Sequence, residues 1–399
     1  MTDGELIAEK LDQAVETLDE LGIDLWLTFC RETEMHGEPV LPFVLGYDVV
    51  WPAMVLVTAD GRTAAVLGEN DVAGAREMDI HDEVYAYEQS LEPTFRELLQ
   101  EIDPNEIAVN FSTDHKTADG LSHGMYHRLH SYLKESGYED CLISAEEVIG
   151  RVRGVKTSTE RERIQHAAEL TEELLAEMYA AWQPDWTERD VLADIRERIA
   201  DRGVETAWSE DYCPTVDAGS AAPIGHTMAG DRTLPPGEVL HIDFGVRYEH
   251  YAADIQRLYY RPSEAVPTPP AELESAFDDV RAALTAGFDA LEPGVYGYEV
   301  DAAARETFVE RGHPGFNHGF GHEIGRYAHD GGTLLGPRWE PYGEAPSTKV
   351  RVGEVYSIEL GVATDYGYIG LEEMVEVTAD GPEYVIEPQR KFRILESTS

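Results

Sequence analysis

The first 150 residues alternate between helical and strand-like spacing of their apolar positions. Helical spacing, with apolar side chains every three or four residues, occurs at residues 4–21, 92–102 and 120–136. Short apolar runs typical of buried strands occur at residues 24–29, 51–57, 63–67 and 106–110. The turn-forming sequence at residues 59–62, Ala-Asp-Gly-Arg, predicts a hairpin between the second and third runs. This alternation predicts a compact α/β domain over residues 1–150.

The second part of the sequence, residues 151–399, mixes longer helices with strands. Its first six residues, 151–156 (RVRGVK), are typical of a short polar bridge. Helical periodicity predicts helices at residues 157–181, 186–202, 270–291 and 298–311. Strands are predicted at residues 239–244, 253–260, 355–362 and 373–377, with a turn at residues 245–250. We therefore expect a second domain, of the α+β class, over residues 151–399.

The excess of acidic over basic residues bears on the salt concentration in which the protein works. Lysine and arginine total 31 against 78 aspartates and glutamates, a net charge of −47, and only six of the 31 are lysines. Such a surface repels itself at physiological salt, but the Debye length falls to about 3 Å at 1 M salt. The composition predicts adaptation to a salt-rich cytosol, as in halophiles. It also argues against a nucleic-acid partner, because the sequence offers no basic patch for phosphates.

Other broad features concern the compartment. The three cysteines, Cys30, Cys141 and Cys213, are widely separated and show no CxxC pairing, which fits a reducing environment. The sequence contains no apolar run of about 18 residues, so no membrane association is predicted. Its acidic, amphipathic beginning lacks the basic and apolar regions of a signal peptide. We expect a cytoplasmic protein.

Candidate chemistry lies at the ends of the strand-like runs in the second part. Asp243 ends one run, and Asp254 follows eleven positions later, after the predicted turn. A histidine- and glycine-rich stretch runs from His318 through His322 to His329, and Glu359 and Glu372 lie on later strands. Carboxylates and one imidazole are the ligands that hard divalent ions prefer, and a bridging carboxylate can hold two cations together. The set predicts a dinuclear metal site.

These residues occur in motifs that resemble the signature of the M24 metallopeptidase family. The matching motifs are Asp243-Phe-Gly, Tyr251-x-x-Asp254-x-x-Arg257, His318-x-x-Gly-His322-x-Ile-Gly, Glu359-Leu-Gly and Leu371-Glu372-Glu373. The stretch from Arg153 and Lys156 to Glu160 and Ala167 resembles the entry of the same domain. The resemblance covers residues 151–399 and implies the pita-bread fold. Residues 1–150 resemble, more weakly, the creatinase-type N-terminal domain of prolidases and aminopeptidase P.

The resemblance implies a role for each matching residue. Two divalent metal ions, Mn first and otherwise Co, Fe or Zn, would be held by Asp243, Asp254, His322, Glu359 and Glu372. Asp254 and Glu372 would bridge the ions, and Glu359 would also act as general base for a water nucleophile. His226, His318 and His329 match the histidines that line the pocket and assist catalysis. The prolidase and aminopeptidase P branch also implies a homodimer.

The function implied is hydrolysis of the Xaa-Pro bond at the N-terminus of a dipeptide or short peptide. Three departures concern the substrate: Asp330 and Gly370 stand where relatives usually carry Glu and often Arg, and the loop at residues 331–352 is long. One alternative is therefore a hydrolase or lyase for a small non-peptide molecule, like creatinase or ectoine hydrolase. The other alternative is a non-catalytic binding module on the same fold.

Several further residues are expected to stay outside the chemistry. His123, His127 and His130 share one helical face, which we interpret as a polar surface because no carboxylate motif accompanies it. Strand alternation places His241 on the face of Asp243, where we expect packing or support of the ligands. The same alternation allows only one of Glu372 and Glu373 to face the site, and Glu372 is the expected one. Cys213 is expected to be a buried small residue.

Overall fold

The structure is a computed structural model that describes residues 3–33, 37–225 and 227–395. The chain forms two compact units, Met1–Arg153 and Gly154–Ser399, which are described separately. Across the described residues, no helix is both long and apolar enough to cross a membrane.

The first unit is a six-stranded mixed sheet with helices against both faces. Its helices are α1 (Asp3–Leu21), α2 (Leu41–Val44), α3 (Val72–Met78), α4 (Glu92–Ile102), α5 (His123–Leu133) and α6 (Glu146–Gly154). Its strands are β1 (Leu25–Cys30), β2 (Ala53–Thr58), β3 (Thr63–Gly68), β4 (Glu83–Tyr87), β5 (Ile107–Val109) and β6 (Leu142–Ser144), in the order β4-β3-β2-β1-β5-β6. The β2–β3 hairpin and the helix at residues 92–102 confirm the sequence predictions.

Strand alternation divides the buried side chains of the first unit into two cores. On β1, Trp26 joins the core formed with α1 and α2, whereas Leu27 and Phe29 join the core formed with α4 and α5. Burial on both faces explains why β1, β2 and β3 are buried along their whole length. The predicted α/β class is confirmed for this unit.

The predicted polar bridge at residues 151–156 is wrong. Residues 151–154 complete α6, and the side chains of Arg153 and Lys156 are buried, at 2% and 1% exposure. The Arg153 guanidinium donates to the carbonyl of Pro39 at 2.6 Å and lies 4.9 Å from the centre of the Phe43 ring. The Lys156 ammonium donates to the carbonyl of Gly154 at 3.0 Å. Charged groups with such partners can be buried, which composition alone does not reveal.

Within the described residues, the second unit combines four α-helices and two short 3-10 helices, Glu340–Tyr342 and Ala345–Ser347, with a curved eight-stranded sheet. The α-helices are α7 (Ser158–Ala181), α8 (Glu188–Arg202), α9 (Ala271–Ala290) and α10 (Gly297–Glu310). The strands are β7 (Glu205–Thr206), β8 (Thr215–Ala218), β9 (Val239–Phe244), β10 (Val246–Tyr248), β11 (Tyr251–Ala252), β12 (Ile255–Tyr260), β13 (Gly321–Glu323), β14 (Val355–Thr364), β15 (Gly367–Thr378), β16 (Gly381–Tyr384) and β17 (Arg393–Ile394). The main sheet runs β13-β14-β15-β12-β9-β8, with β16 beside β15 and β17 beside β12, and β11-β10-β7 form a small second sheet.

The predicted turn at residues 245–250 is also only partly right. Residues 246–248 form β10, which pairs with β11 and with β7, so the turn itself shrinks to Glu249 and His250. Both turn residues have positive φ, 43° and 73°. Two-residue hairpin turns with positive φ match the natural twist of the paired strands, so this tight connection suits the register.

The long β14–β15 hairpin has an apolar face in the core and an opposite face that carries candidate metal ligands. Ile358 and Leu371 are buried in the core that contains α9 and α10. Glu359 and Glu372, one position further along each strand, therefore face the opposite side of the sheet. This side holds the polar groups described next.

Candidate metal centre

Strand register places three of the candidate ligands in one row across the sheet. Asp243 of β9 lies opposite Gln256 of β12, Gln256 lies opposite Glu372 of β15, and Glu372 lies opposite Glu359 of β14. Directly opposed residues point to the same face of a sheet, with Cβ atoms about 4.5–5.5 Å apart. Four strands thus bring three carboxylates, with one amide among them, to the same face.

The other two candidate ligands join this row from beside it. Asp254 immediately precedes β12, and His322 lies on β13 opposite Ser357 of β14. The Nε2 atom of His322 is 3.9 Å from Asp254 Oδ2 and 3.8 Å from Glu372 Oε1. Each of Asp254, His322 and Glu372 offers one ligand atom within 4.8 Å of the others. They form the one group of three or more potential ligands this close within residues 3–33, 37–225 and 227–395.

The electrostatics of this face are unfavourable for bare carboxylates. Burial, followed by the negative charge of Glu359, raises the pKa of Asp243 to about 7. Burial, followed by Glu372 and Asp243, raises the pKa of Asp254, and burial, followed by Glu359, raises the pKa of Glu372. The buried oxygens Asp243 Oδ1 and Asp254 Oδ1 have no hydrogen-bond partner among the described residues. Burying carboxylate oxygens that lack donors and lie close to other negative charges costs free energy. A bound cation would offset this cost.

The ligand chemistry therefore fits hard divalent ions. Asp243, Asp254, Glu359 and Glu372 supply carboxylate oxygens, and His322 supplies one imidazole, a combination that suits Mn and similar ions. Ser357 donates to Glu372 Oε1 at 2.5 Å and lies 3.1 Å from His322 Nε2. Sequence analysis missed Ser357, although its position two residues before Glu359 on a strand was a usable signal.

Two of the three histidines predicted to line a pocket lie within the described residues. His329 is exposed, and its ring centre is 4.2 Å from that of His322. His318 is half-buried, and its Nδ1 atom is 2.8 Å from the carbonyl oxygen of Gly319. His226 lies outside the described residues. The loop at residues 331–352 lies next to His318: the hydroxyl of Tyr342, in this loop, accepts a hydrogen bond from the Gly319 amide at 3.1 Å.

Glu373, Asp330 and His241 are close in sequence to candidate ligands but contact other partners. Glu373 points away from the site and pairs with Arg257 at 3.1 Å, so of the two adjacent glutamates only Glu372 joins the ligand group. Asp330, one of the departures, lies 3.7 Å from the ammonium of Lys156, with both side chains almost fully buried. His241 Nδ1 lies 3.0 Å from Asp217 Oδ2, and His241 Nε2 lies 2.9 Å from Gln256 Oε1. Gln256 is, after Ser357, the second residue of the site that sequence analysis missed.

Three histidines of α5 and Cys213 lie outside the group of close potential metal ligands. His123 and His127 are exposed on α5 with their Nε2 atoms 2.9 Å apart, and His130 packs beside Tyr126. Cys213 is buried, its Sγ atom contacts the carbonyl of Gly245 at 3.3 Å, and burial raises its pKa to about 12. A thiol with a raised pKa is a poor nucleophile, which agrees with the prediction for Cys213.

Known proteins similar to this chain include dipeptidases. The protein described as "Probable dipeptidase PepE" of Mycobacterium tuberculosis is 32% identical over 244 residues, which are 60% of this chain and 60% of the relative. The Xaa-Pro dipeptidase of Pyrococcus furiosus is 27% identical over 249 residues, 62% of this chain and 67% of the relative. The match to the mycobacterial relatives thus spans about three fifths of their length.

Solved structures agree with the architecture of the whole chain. Dipeptidase PepE from Mycobacterium ulcerans has a TM-score of 0.75 at 22% identity and covers 99% of both chains. Xaa-Pro dipeptidase from Bacillus anthracis has a TM-score of 0.73 at 20% identity, covering 98% of this chain and 100% of that one. The expected pita-bread fold of the second unit is confirmed. Because the family model for metallopeptidase family M24 matches residues 162–379, more than half of the sequence, the chain belongs to metallopeptidase family M24.

Proposed function

We propose that this protein is a metal-dependent peptidase that cleaves the Xaa-Pro bond at the N-terminus of dipeptides or short peptides. The observation that carries the proposal is the convergence of carboxylates and one imidazole on a single face, with buried oxygens that lack donors. Family membership supports peptide hydrolysis, and relatives named as Xaa-Pro dipeptidases support proline as the second residue. The peptidase names of these relatives favour it over a non-peptide substrate or a non-catalytic module.

Two divalent ions, with Mn as our first choice over Co, Fe or Zn, would be held by Asp243, Asp254, His322, Glu359 and Glu372. When bound, such ions supply an activated water and polarise the scissile carbonyl. We assign Asp254 and Glu372 as the carboxylates that would share the two ions. Both have an oxygen within 4 Å of His322 Nε2, which supports a common site.

Glu359 is our candidate general base. Its side chain is less buried than that of Glu372, so it can meet both water and substrate. One of its oxygens, Oε2, accepts a hydrogen bond from Gln256 at 2.8 Å, which leaves Oε1 for a proton. That proton would then pass to the proline nitrogen as the bond breaks. His318 and His329 are proposed to hydrogen-bond the substrate carbonyl region, and His226 to assist at the leaving-group side.

The wider setting is also proposed. We assign residues 1–150 to a creatinase-type N-terminal domain and residues 151–399 to the catalytic domain, consistent with the two units described above. The resemblance supports a homodimer, and the charge of −47 supports work in a salt-rich cytoplasm.

A substrate panel tests the function. The purified protein should be offered Xaa-Pro dipeptides, longer Xaa-Pro peptides, matched Xaa-Ala peptides and ectoine, with Mn²⁺, Co²⁺, Fe²⁺ or Zn²⁺ in high salt. We expect chelator-sensitive release of the N-terminal residue from Xaa-Pro substrates and about two ions per chain. Turnover of ectoine alone, or bound metal without any peptide cleavage, would contradict the proposal.

The base is tested by Glu359→Gln beside the exposed control Glu383→Gln. We expect Glu359→Gln to lower kcat by a factor on the order of 100 or more, since general bases contribute about 10²–10⁴-fold. Glu383→Gln should retain wild-type kcat. Wild-type turnover in Glu359→Gln would remove Glu359 from this role.

A further inference from the structure

We propose that Gln256 is a positioning residue for the Glu359 and Glu372 carboxylates, and that Asp217 and His241 hold it in place. These three side chains, here called the positioning triplet, lie beside the candidate metal ligands. The proposal deepens the proposed function and rests on it for the catalytic readout.

The hydrogen bonds form a continuous series that ends on two acids of the site. Asp217 Oδ2 lies 3.0 Å from His241 Nδ1, and His241 Nε2 lies 2.9 Å from Gln256 Oε1. The Gln256 amide nitrogen then donates to Glu359 Oε2 at 2.8 Å and to Glu372 Oε2 at 3.2 Å. An amide nitrogen has two hydrogens, so both donations can be made at once.

The direction of this series follows from the groups themselves. The Gln256 amide nitrogen, a donor, faces the two carboxylates, and its oxygen, an acceptor, faces His241. Because that oxygen only accepts, His241 Nε2 must carry a hydrogen. Asp217, His241 and Gln256 are all buried, at 4%, 4% and 6% exposure, so water competes little for these bonds.

Register explains why the triplet reaches the site. Asp217 of β8 lies directly opposite His241 of β9, and Gln256 of β12 lies directly opposite both Asp243 and Glu372. The triplet therefore crosses three neighbouring strands on the face that carries the ligands. Strands fix side chains more firmly than loops do, which favours accurate positioning.

Gly370 leaves the space that the triplet occupies. A Cβ atom at this position would lie 2.6 Å from Gln256 Oε1 and 2.8 Å from His241 Nε2. These are the two atoms of one hydrogen bond, so any side chain at position 370 would displace it. The Tyr368 ring packs edge-on against His241, with ring centres 5.1 Å apart, and limits how His241 can move.

The consequence is a defined orientation for the acids. Gln256 occupies Oε2 of each glutamate, which leaves Oε1 of Glu359 for an ion or water. In Glu372, Oε1 accepts from Ser357 and keeps a second lone pair for an ion. An uncharged amide achieves this without adding charge to the site. Preorganised ligands bind ions more tightly, and loss of such supporting contacts commonly costs about 10–100-fold in metal affinity or activity.

The test compares Gln256→Leu with Gln389→Leu. Gln389 is an equally buried amide, 6% exposed, that bonds the backbone of Leu258 away from the ligands. We expect Gln256→Leu to lower kcat and Mn²⁺ affinity, measured by titration calorimetry, by about 10–100-fold, with a smaller change in KM. Gln389→Leu should lower stability and leave kcat and Mn²⁺ affinity unchanged. Equal effects of the two variants on kcat and Mn²⁺ affinity would overturn the proposal.

A double-mutant cycle tests the part of His241. If His241 acts through Gln256, His241→Leu should have little further effect in the Gln256→Leu background. His241→Gln, which can still donate to Gln256, should recover most of the loss. Additive effects, or no recovery, would overturn the assignment of His241. If the wild type cleaves no Xaa-Pro substrate, the proposed function fails. The positioning role of the triplet is then still tested by comparing the Mn²⁺ affinities of Gln256→Leu and Gln389→Leu.

Discussion

Glu38 illustrates at the scale of one residue how burial changes an acid in this protein. It is 5% exposed, and its carboxylate accepts hydrogen bonds from Asn110 Nδ2 at 2.5 Å and from the Val40 amide at 3.3 Å. Gly120 packs so closely that a Cβ atom there would overlap the carboxylate. Burial outweighs these hydrogen bonds and raises the pKa of Glu38 from 4.5 to about 7.

The raised pKa makes stability depend on pH in a known direction. Between pH 4.5 and about 7 the folded protein keeps a proton on Glu38 that the unfolded chain releases. The stabilisation from this group is thus present below pH 4.5 and lost as the pH rises towards 7. We expect Glu38→Gln to gain stability relative to wild type from pH 5 to pH 8, by on the order of 1–3 kcal/mol. Denaturant unfolding at several pH values measures this, with the exposed Glu32→Gln as control. A difference that stays constant over this range would contradict the assignment.

At the scale of an element, α7 depends on its first turn. Thr157 accepts a hydrogen bond from the Glu160 amide at 3.3 Å, and Glu160 accepts one from the Thr157 amide at 2.8 Å, which is a capping box. The other Glu160 oxygen accepts from the Tyr251 hydroxyl at 2.9 Å. One cap thus starts a 24-residue helix and ties it to β11 of the same unit.

We expect Thr157→Ala to lower the free energy of unfolding by about 0.5–2 kcal/mol, because the Glu160 amide loses its acceptor. Thr157→Ser keeps the hydroxyl and should retain most of the stability. Chemical denaturation of both variants gives the comparison. Equal losses in the two would mean that the methyl group of Thr157, and not its hydroxyl, provides the stabilisation.

The whole molecule is dominated by its charge. A net charge of −47 on 399 residues destabilises the compact state by self-repulsion. Salt screens this repulsion as the Debye length falls from about 8 Å at 0.15 M to about 3 Å at 1 M.

We expect the midpoint of thermal unfolding to rise by on the order of 5–10 °C between 0.15 M and 2 M KCl, because the folded state gains most from screening. Sucrose at the same osmolality is the control for solute exclusion, which does not depend on charge. A rise of the same size in sucrose would argue against screening as the cause.

The sequence by itself determined several of the helices and strands and the order of the candidate ligands. Helices such as residues 92–102 and the β2–β3 hairpin follow from local periodicity and turn chemistry, which depend only on neighbouring residues. The acids and histidines of the second part were likewise visible in their motifs. The alternation of Glu372 and Glu373 on one strand separated their faces without any knowledge of partners.

Only the tertiary structure decided which residues meet. The row from Asp243 through Gln256 and Glu372 to Glu359 depends on the register of four strands that are distant in sequence. For the same reason, the role of Gln256 became visible only once the strands were paired. The burial of Arg153 and Lys156 depends on carbonyls and rings supplied by other segments, whereas composition reports only that these side chains are charged. Local sequence fixes the period of an element, but contacts between distant segments fix its register and its partners.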